Sequence, residues 1–160
     1  MIKEVPVALT ACQVGGAAAL AQALRYNRTI RVLDLTGNLI GDDGISVICG
    51  ALDPRNSALV DLRVGRNQIS SVGAHYVATL LRQYSRLERL DLSDNVVYKE
   101  GAVALAHSML TNQSLRSLSL SHNGITDAGY QALADALRHN CTLTRASLTW
   151  RRGDKVTLFT

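Results

Sequence analysis

The sequence predicts an α/β protein built as a right-handed βα solenoid, with a parallel sheet on its concave side and helices on its convex side. Three observations predict it. Asparagine recurs at Asn38, Asn67, Asn95 and Asn123, at intervals of 29, 28 and 28 residues. Each asparagine is preceded by the same apolar frame: Ile30-Leu33-Leu35, Leu59-Leu62-Val64, Leu87-Leu90-Leu92 and Leu115-Leu118-Leu120. Each is followed by an aliphatic residue two positions on (Ile40, Ile69, Val97, Ile125), a glycine six on (Gly44, Gly73, Gly101, Gly129) and a small residue eleven on (Cys49, Ala78, Ala106, Ala134). Self-similarity at a fixed period of this length marks stacked supersecondary units.

The elements follow in order. Leu-x-Leu alternation within each frame has the period of a strand with one buried face. The asparagine is expected to bond unpaired backbone groups where the chain turns out of that strand. The glycine is expected either to let the helix pack close to the neighbouring loop or to supply a special backbone angle. Beyond it, apolar residues recur at helical spacing, as in Ala128, Ala132, Leu133, Ala136 and Leu137. One such unit cannot bury its apolar face, and stacking closes a continuous core. Strands pack ~4.8 Å apart and helices about 8–10 Å apart, so the stack bends with its sheet inside.

The register extends in both directions. Ile2-Val5-Val7 fits, with Thr10 in the asparagine slot, and Leu143-Ala146-Leu148 fits, with Arg151 there. Repeats therefore start at Ile2, Ile30, Leu59, Leu87, Leu115 and Leu143, the last one partial, in one domain over residues 1–160. The alternation Val156-Thr157-Leu158-Phe159 is expected to add a strand that closes the stack. The first repeat has no polar cap before it, which leads to the expectation that the N-terminal end is covered by another chain or segment.

The pattern L-x-x-L-x-L-x-x-N-x-I/V-x-x-x-G, present as LRSLSLSHNGITDAG and LERLDLSDNVVYKEG, resembles the leucine-rich-repeat family in its ribonuclease-inhibitor-like class. The resemblance spans essentially the whole chain. It implies a horseshoe that binds proteins and has no catalysis of its own. It also implies a cytoplasmic setting, with a scaffold or adaptor role in a cytoskeletal or ciliary assembly. Alternatives within the class are a regulator of an enzyme or small GTPase, of ribonuclease-inhibitor or Ran-activator type, and a sensing fragment of an innate-immunity receptor. This chain is basic and poor in cysteine, unlike the inhibitor, and lacks the activators' acidic tail.

Composition agrees with a folded repeat. The 160 residues are 47% hydrophobic but only 4% aromatic, so small aliphatic side chains fill the interior. The net charge is +4, and 14 of the 17 basic residues are arginine, which leans toward an acidic partner. Three cysteines (Cys12, Cys49, Cys141) give no disulfide framework, and no apolar stretch is long enough to cross a membrane.

Side chains between the core leucines are expected on the concave face. The candidate partner-binding residues there are Asp34, Asp61, Arg63, Arg89, Asp91, Ser119 and Arg145. Asp34, Arg63 and Asp91 read as an alternating charge ladder, each pair contributing about 0.2–1 kcal/mol. The loop slot after each strand adds Arg66, His122 and Trp150, with Arg151 beside it, as a recognition ridge. Trp150 also suits a cover for the end of the array. Tyr26, Tyr76, Tyr84, Tyr98 and Tyr130 lie outside the strand frames and are expected to pack partly buried with their hydroxyls outward. Six strands span roughly 24 Å and the exposed column roughly 13 Å. Their product, on the order of 300 Å², is less than the roughly 800 Å² per partner of a standard interface, so loops, edges or a longer array must contribute.

Other chemistry is poorly supported. Ser121, His122 and Asp127 are near in sequence, but each is explained by the repeat. The four histidines do not cluster with cysteine or carboxylate at metal-ligand spacing, and no phosphate-binding glycine loop with lysine occurs, so no cofactor, metal or small-molecule substrate is expected. Nucleic acid is disfavoured because no aromatic–basic platform is visible. The expected partner is another protein, of acidic character, with end-to-end self-association as a further option and no membrane contact. Asn27-Arg28-Thr29, Asn112-Gln113-Ser114 and Asn140-Cys141-Thr142 match a glycosylation pattern, but all sit at the turn before a strand. Arg152-Gly153-Asp154 and the cleavage-like Leu9-Thr10-Ala11-Cys12 are set aside as coincidences of the repeat and its tail.

Overall fold

The computed structural model describes residues 4–6, 14–53, 57–149 and 155–159. Seven strands form one sheet in chain order: β1 (Glu4–Pro6), β2 (Val32–Asp34), β3 (Asp61–Arg63), β4 (Arg89–Asp91), β5 (Ser117–Ser119), β6 (Arg145–Thr149) and β7 (Lys155–Phe159). The first six run parallel, and β7 pairs antiparallel with β6, Lys155 opposite Thr149 and Phe159 opposite Arg145. Between them lie α1 (Val14–Tyr26), α2 (Gly41–Ala51), α3 (Ser71–Gln83), α4 (Tyr98–Met109) and α5 (Asp127–Leu137). Each helix packs on the next. Ile2, Val7, Thr10 and Cys12 of the first repeat lie outside the described residues.

Register follows the repeat. Leu33, Leu62, Leu90, Leu118 and Ala146 stand opposite one another across five strands, all buried. A residue on either side of this row points to the other face, so the charged columns share the concave surface. One core runs behind the sheet, filled by aliphatic residues and by Ala17, Ala74, Ala102 and Ala136 from the helices.

The asparagines join consecutive turns. Asn67 donates its amide to Leu35 O and Gly65 O, both at 2.8 Å, and its Oδ1 accepts from the N–H of Asn38 (3.0 Å) and Ile40 (3.3 Å). Asn95 donates to Val64 O (3.0 Å) and Leu92 O (2.9 Å) and accepts from the N–H of Asn67 and Ile69, both at 3.0 Å. Asn123 donates to Leu92 O (2.8 Å) and Leu120 O (3.1 Å) and accepts from Val97 N–H (3.3 Å). Each amide thus satisfies backbone groups of its own and the preceding repeat in the dry interior, as the repeat pattern implied.

The glycines serve close approach. None of Gly44, Gly73, Gly101 or Gly129 has a positive φ, and all four are buried. A Cβ on Gly101 would stand 2.8 Å from Ala74 Cβ and 3.2 Å from the Ser71 Cα. The helices begin two or three residues before these glycines, with polar first turns such as Asp42-Asp43 and Lys99-Glu100 that carry no apolar periodicity. Helix entry alternates: Gly41 and Tyr98 are left-handed (φ 60° and 51°), whereas Ser70 and Thr126 are extended. Asp42 accepts the N–H groups of Ser70 and Gly73 (2.8 and 2.9 Å), so α2 caps α3.

Three substitutions test these roles through stability. Asn95→Ala leaves buried N–H and C=O groups of two repeats unpaired and is expected to lower urea-measured stability by about 3 kcal/mol or more. Gly101→Ala is expected to destabilise by about 1–2 kcal/mol through overpacking against backbone. Gly50→Ala, at an exposed α2 position with open space around it, is expected to stabilise by about 0.5 kcal/mol; the same urea titrations check both signs.

Candidate partner-binding surface

The concave face centres on Asp61. It is 2% exposed, although it is a charged residue on the open side of β3. Its Oδ2 is held by Arg63 Nη2 at 3.0 Å and Arg89 Nε at 3.2 Å, while Arg63 Nη1 also reaches Asp34 Oδ2 at 3.6 Å. The expected ladder Asp34–Arg63–Asp91 thus keeps its Asp34–Arg63 rung, while Arg63 holds Asp61 more closely. Arg63 turns along its own strand to Asp61, since residues two apart share a face and a desolvated carboxylate draws a guanidinium strongly. Asp91 accepts from Ser93 N–H at 2.9 Å. Burial acts to raise the Asp34 carboxyl, but the Thr36 N–H and hydroxyl and the Arg63 guanidinium outweigh it and hold the group below its ordinary value. Asp61, Arg63, Arg89, Asp91 and Ser119 line a shallow depression of about 210 Å³. Arg145 is exposed on the neighbouring strand.

The ridge has a backbone signature. Arg66, Asp94 and His122 occupy one slot in three successive repeats, with φ of 56°, 54° and 56°. Gly37 takes the same slot one repeat earlier at φ 75°. A side chain in this left-handed region costs about 1 kcal/mol or more. The three side chains form a row: Arg66 Nε lies 3.6 Å from Asp94 Oδ2, and His122 Nδ1 lies 3.2 Å from Asp94 Oδ1. Backbone bonds fix the slot, with Arg66 N–H on Ser93 O (3.0 Å) and Asp94 N–H on Ser121 O (2.8 Å). Asp94 is thus the centre of the ridge, a role the sequence reading did not give it. Trp150 and Arg151 lie outside the described residues.

Ser121 and His122, neighbours in sequence, face different partners. His122 is on Asp94, and the buried Ser121 hydroxyl meets the Ser147 hydroxyl at 3.1 Å. Among the described residues no group of three His, Cys, Asp or Glu side chains is gathered to hold a metal. Burial pushes the Cys49 thiol up to about 12, whereas Cys141 is exposed. Among the described residues no helix is long and apolar enough to cross a membrane.

The tyrosines correct one expectation. Tyr84 is fully buried with its hydroxyl inward, donating to Leu59 O at 2.9 Å, and Tyr130 is also buried. Tyr26, Tyr76 and Tyr98 are exposed. Tyr84 occupies the slot taken one and two repeats later by Asn112 and Asn140. Asn112 donates to Leu81 O (2.7 Å) and accepts from Leu115 N–H (2.8 Å); Asn140 donates to Met109 O (2.7 Å) and accepts from Leu143 N–H (2.8 Å). These glycosylation-like asparagines are a second set of ties between turns. Their spacing of 28 residues was the available signal.

Comparison with known proteins agrees with this architecture. The family described as "Leucine Rich repeat" matches residues 26–49, 86–106 and 111–134. "NACHT, LRR and PYD domains-containing protein 14" of Mus musculus is 33% identical over 90 residues, covering 56% of this chain and 9% of that protein. The ribonuclease inhibitor of Sus scrofa is 34% identical over 86 residues, covering 54% of this chain and 19% of the inhibitor. The chain thus spans under a fifth of the length of either relative. Among solved structures, the "Leiomodin-1 Actin-Binding Site 2 (ABS2)" domain superposes with a TM-score of 0.76 at 15% identity, over 92% of this chain and 82% of that one. The tropomodulin C-terminal domain of Caenorhabditis elegans gives 0.73 at 16% identity, over 84% and 83%. Matching repeats, sequence kinship and a stacked βα architecture agree that this chain carries leucine-rich repeats, of a long kind with 28–29 residues each.

Proposed function

We propose that the chain is a non-enzymatic protein-binding module that engages a partner protein through its concave sheet and the adjoining ridge, as a scaffold or adaptor in a cytoplasmic, cytoskeletal assembly. The observation that carries this reading is the ridge. Three consecutive repeats keep Arg66, Asp94 and His122 in a backbone conformation that glycine adopts without strain. Leu39, Gln68 and Tyr98 share this left-handed conformation, so what marks the ridge is that its three side chains are polar, exposed and paired in a row. Arginine is a favoured binding anchor, and the concave depression beside the ridge adds Ser119, Asp91 and Arg89. The cytoskeletal setting draws on the shared architecture with a domain named for actin binding. A second reading, a sensing segment of a larger receptor, is favoured by the 33% identity to proteins that carry NACHT and PYD domains beside their repeats.

Arg63 and Arg89 are poor probes of this surface. Reversing either leaves the buried Asp61 carboxylate facing a like charge, a change that costs about 3–5 kcal/mol when a buried pair is broken. Ser119→Arg fills the depression without breaking an ion pair, and Arg66→Gly with His122→Gly relieves strain while removing the ridge. Both variants are expected to keep the melting temperature within about 3 °C of the parent or above it, and to lose the partner captured from cytosol by the tagged parent chain. Capture unchanged in both variants would remove the concave face and ridge as the site. The identity of the captured protein separates a cytoskeletal assembly from a receptor complex.

A further inference from the structure

We propose a second docking surface on the opposite edge of the sheet: a basic groove across the starts of β2–β5 that takes an extended acidic segment of a partner protein. This rests on the reading of the chain as a protein-binding module but not on the concave face. Immediately before the strands, the backbone carbonyls of Arg31, Val60 and Glu88 each accept two N–H groups from the next repeat. Arg31 O takes Val60 N–H (2.8 Å) and Asp61 N–H (3.0 Å); Glu88 O takes Arg116 N–H (2.8 Å) and Ser117 N–H (3.0 Å). These bonds set Arg31, Val60, Glu88 and Arg116 in a row along the edge. With Arg86 from the preceding turn they line a groove of about 480 Å³, larger than the concave depression.

Charge decides what the groove takes. On the concave strands three arginines (Arg63, Arg89, Arg145) stand against three aspartates (Asp34, Asp61, Asp91), and Asp61 alone engages two of the guanidinium groups. The groove holds three arginines against the single Glu88. Arg31, Arg86 and Arg116 are exposed, and none is ion-paired among the described residues. The groove lining therefore carries a net charge of +2, three arginines less one glutamate, while the concave face is close to neutral.

Shape and chemistry favour a peptide. Arg31 and Arg116 are three strand spacings apart, roughly 14 Å, which an extended segment covers in about four residues. Guanidinium groups bind carboxylates in a planar fork. Ala58 and Val60 give apolar floor for the alternate side chains of such a segment. A polynucleotide fits poorly: no aromatic side chain lines the groove for base stacking, and Glu88 interrupts the positive row.

The test uses the full chain and a fluorescein-labelled octapeptide of alternating Glu and Ser, followed by polarisation at low salt. A saturable signal is expected, weakened by added salt and absent for the same peptide with Lys replacing Glu. Arg31→Glu, Arg86→Glu and Arg116→Glu together are expected to weaken it about tenfold or more. The corresponding triple Gln variant, expected to weaken it less, serves if the Glu variant does not fold. Ser119→Arg is expected to leave the peptide affinity unchanged, so loss of partner capture in that variant reports on the concave face alone. The proposal is overturned by no saturable signal, by equal affinity in the edge variants, by loss of peptide binding in Ser119→Arg, or by tighter binding of an oligonucleotide than of the peptide.

Discussion

The stack depends on the asparagine amide. A chain that leaves a strand, turns over the edge and enters a helix exposes N–H and C=O groups that neither element can pair. In a solenoid these turns are pressed against identical turns and water cannot reach them. Leaving such groups unpaired costs about 1–3 kcal/mol each. A carboxamide has both donors and acceptor at the right separation, and Asn67, Asn95 and Asn123 each span two turns with one side chain. The same bonds fix where each strand ends. They therefore fix the slot of Arg66, Asp94 and His122, and align the concave side chains in straight columns. The surface is ordered because the interior is tied.

Much of this was legible from periodicity. Strand frames, helix faces and the role of the asparagines follow from apolar spacing and from the need to pair buried backbone, both local in sequence. The glycines left two explanations open, and only the positions of Ala74 and the Ser71 backbone against Gly101 settled that close approach is the reason. Tyr84 departs from the expected half-buried packing with an outward hydroxyl, because its hydroxyl finds a buried partner in Leu59 O. Its burial depends on a vacancy in the second set of ties, where other repeats carry asparagine. Asn112 and Asn140 match a glycosylation pattern but sit at the turn before a strand, and their 28-residue spacing, the period of the main asparagine series, is the signal of their role as ties.

The electrostatics were harder to read, because side-chain choice depends on burial that spacing does not reveal. Sequence places Asp34, Arg63 and Asp91 in one column, and nearest-neighbour pairing within the column is the natural expectation. Asp61 overrides it. Once its carboxylate is almost fully desolvated, both Arg63 and Arg89 must serve it, and the concave charges become structural as well as available for binding. The mild excess of basic residues was visible in composition, but its concentration outside the concave face was not. Neither was the left-handed backbone of the ridge, since arginine, aspartate and histidine carry no local signal of the kind that Gly37 does.

Residue-resolved hydrogen exchange on the parent chain and Asn95→Ala tests the central claim most directly. The amides of Asn67 and Ile69, which end on Asn95 Oδ1, are predicted to exchange as slowly in the parent as those of Val64 and Leu92 within the sheet ladder. In the variant, protection should fall first at those two amides, while α5 keeps its own. Exchange at Asn67 and Ile69 as fast as in an unstructured peptide, or unchanged by the substitution, would contradict the account.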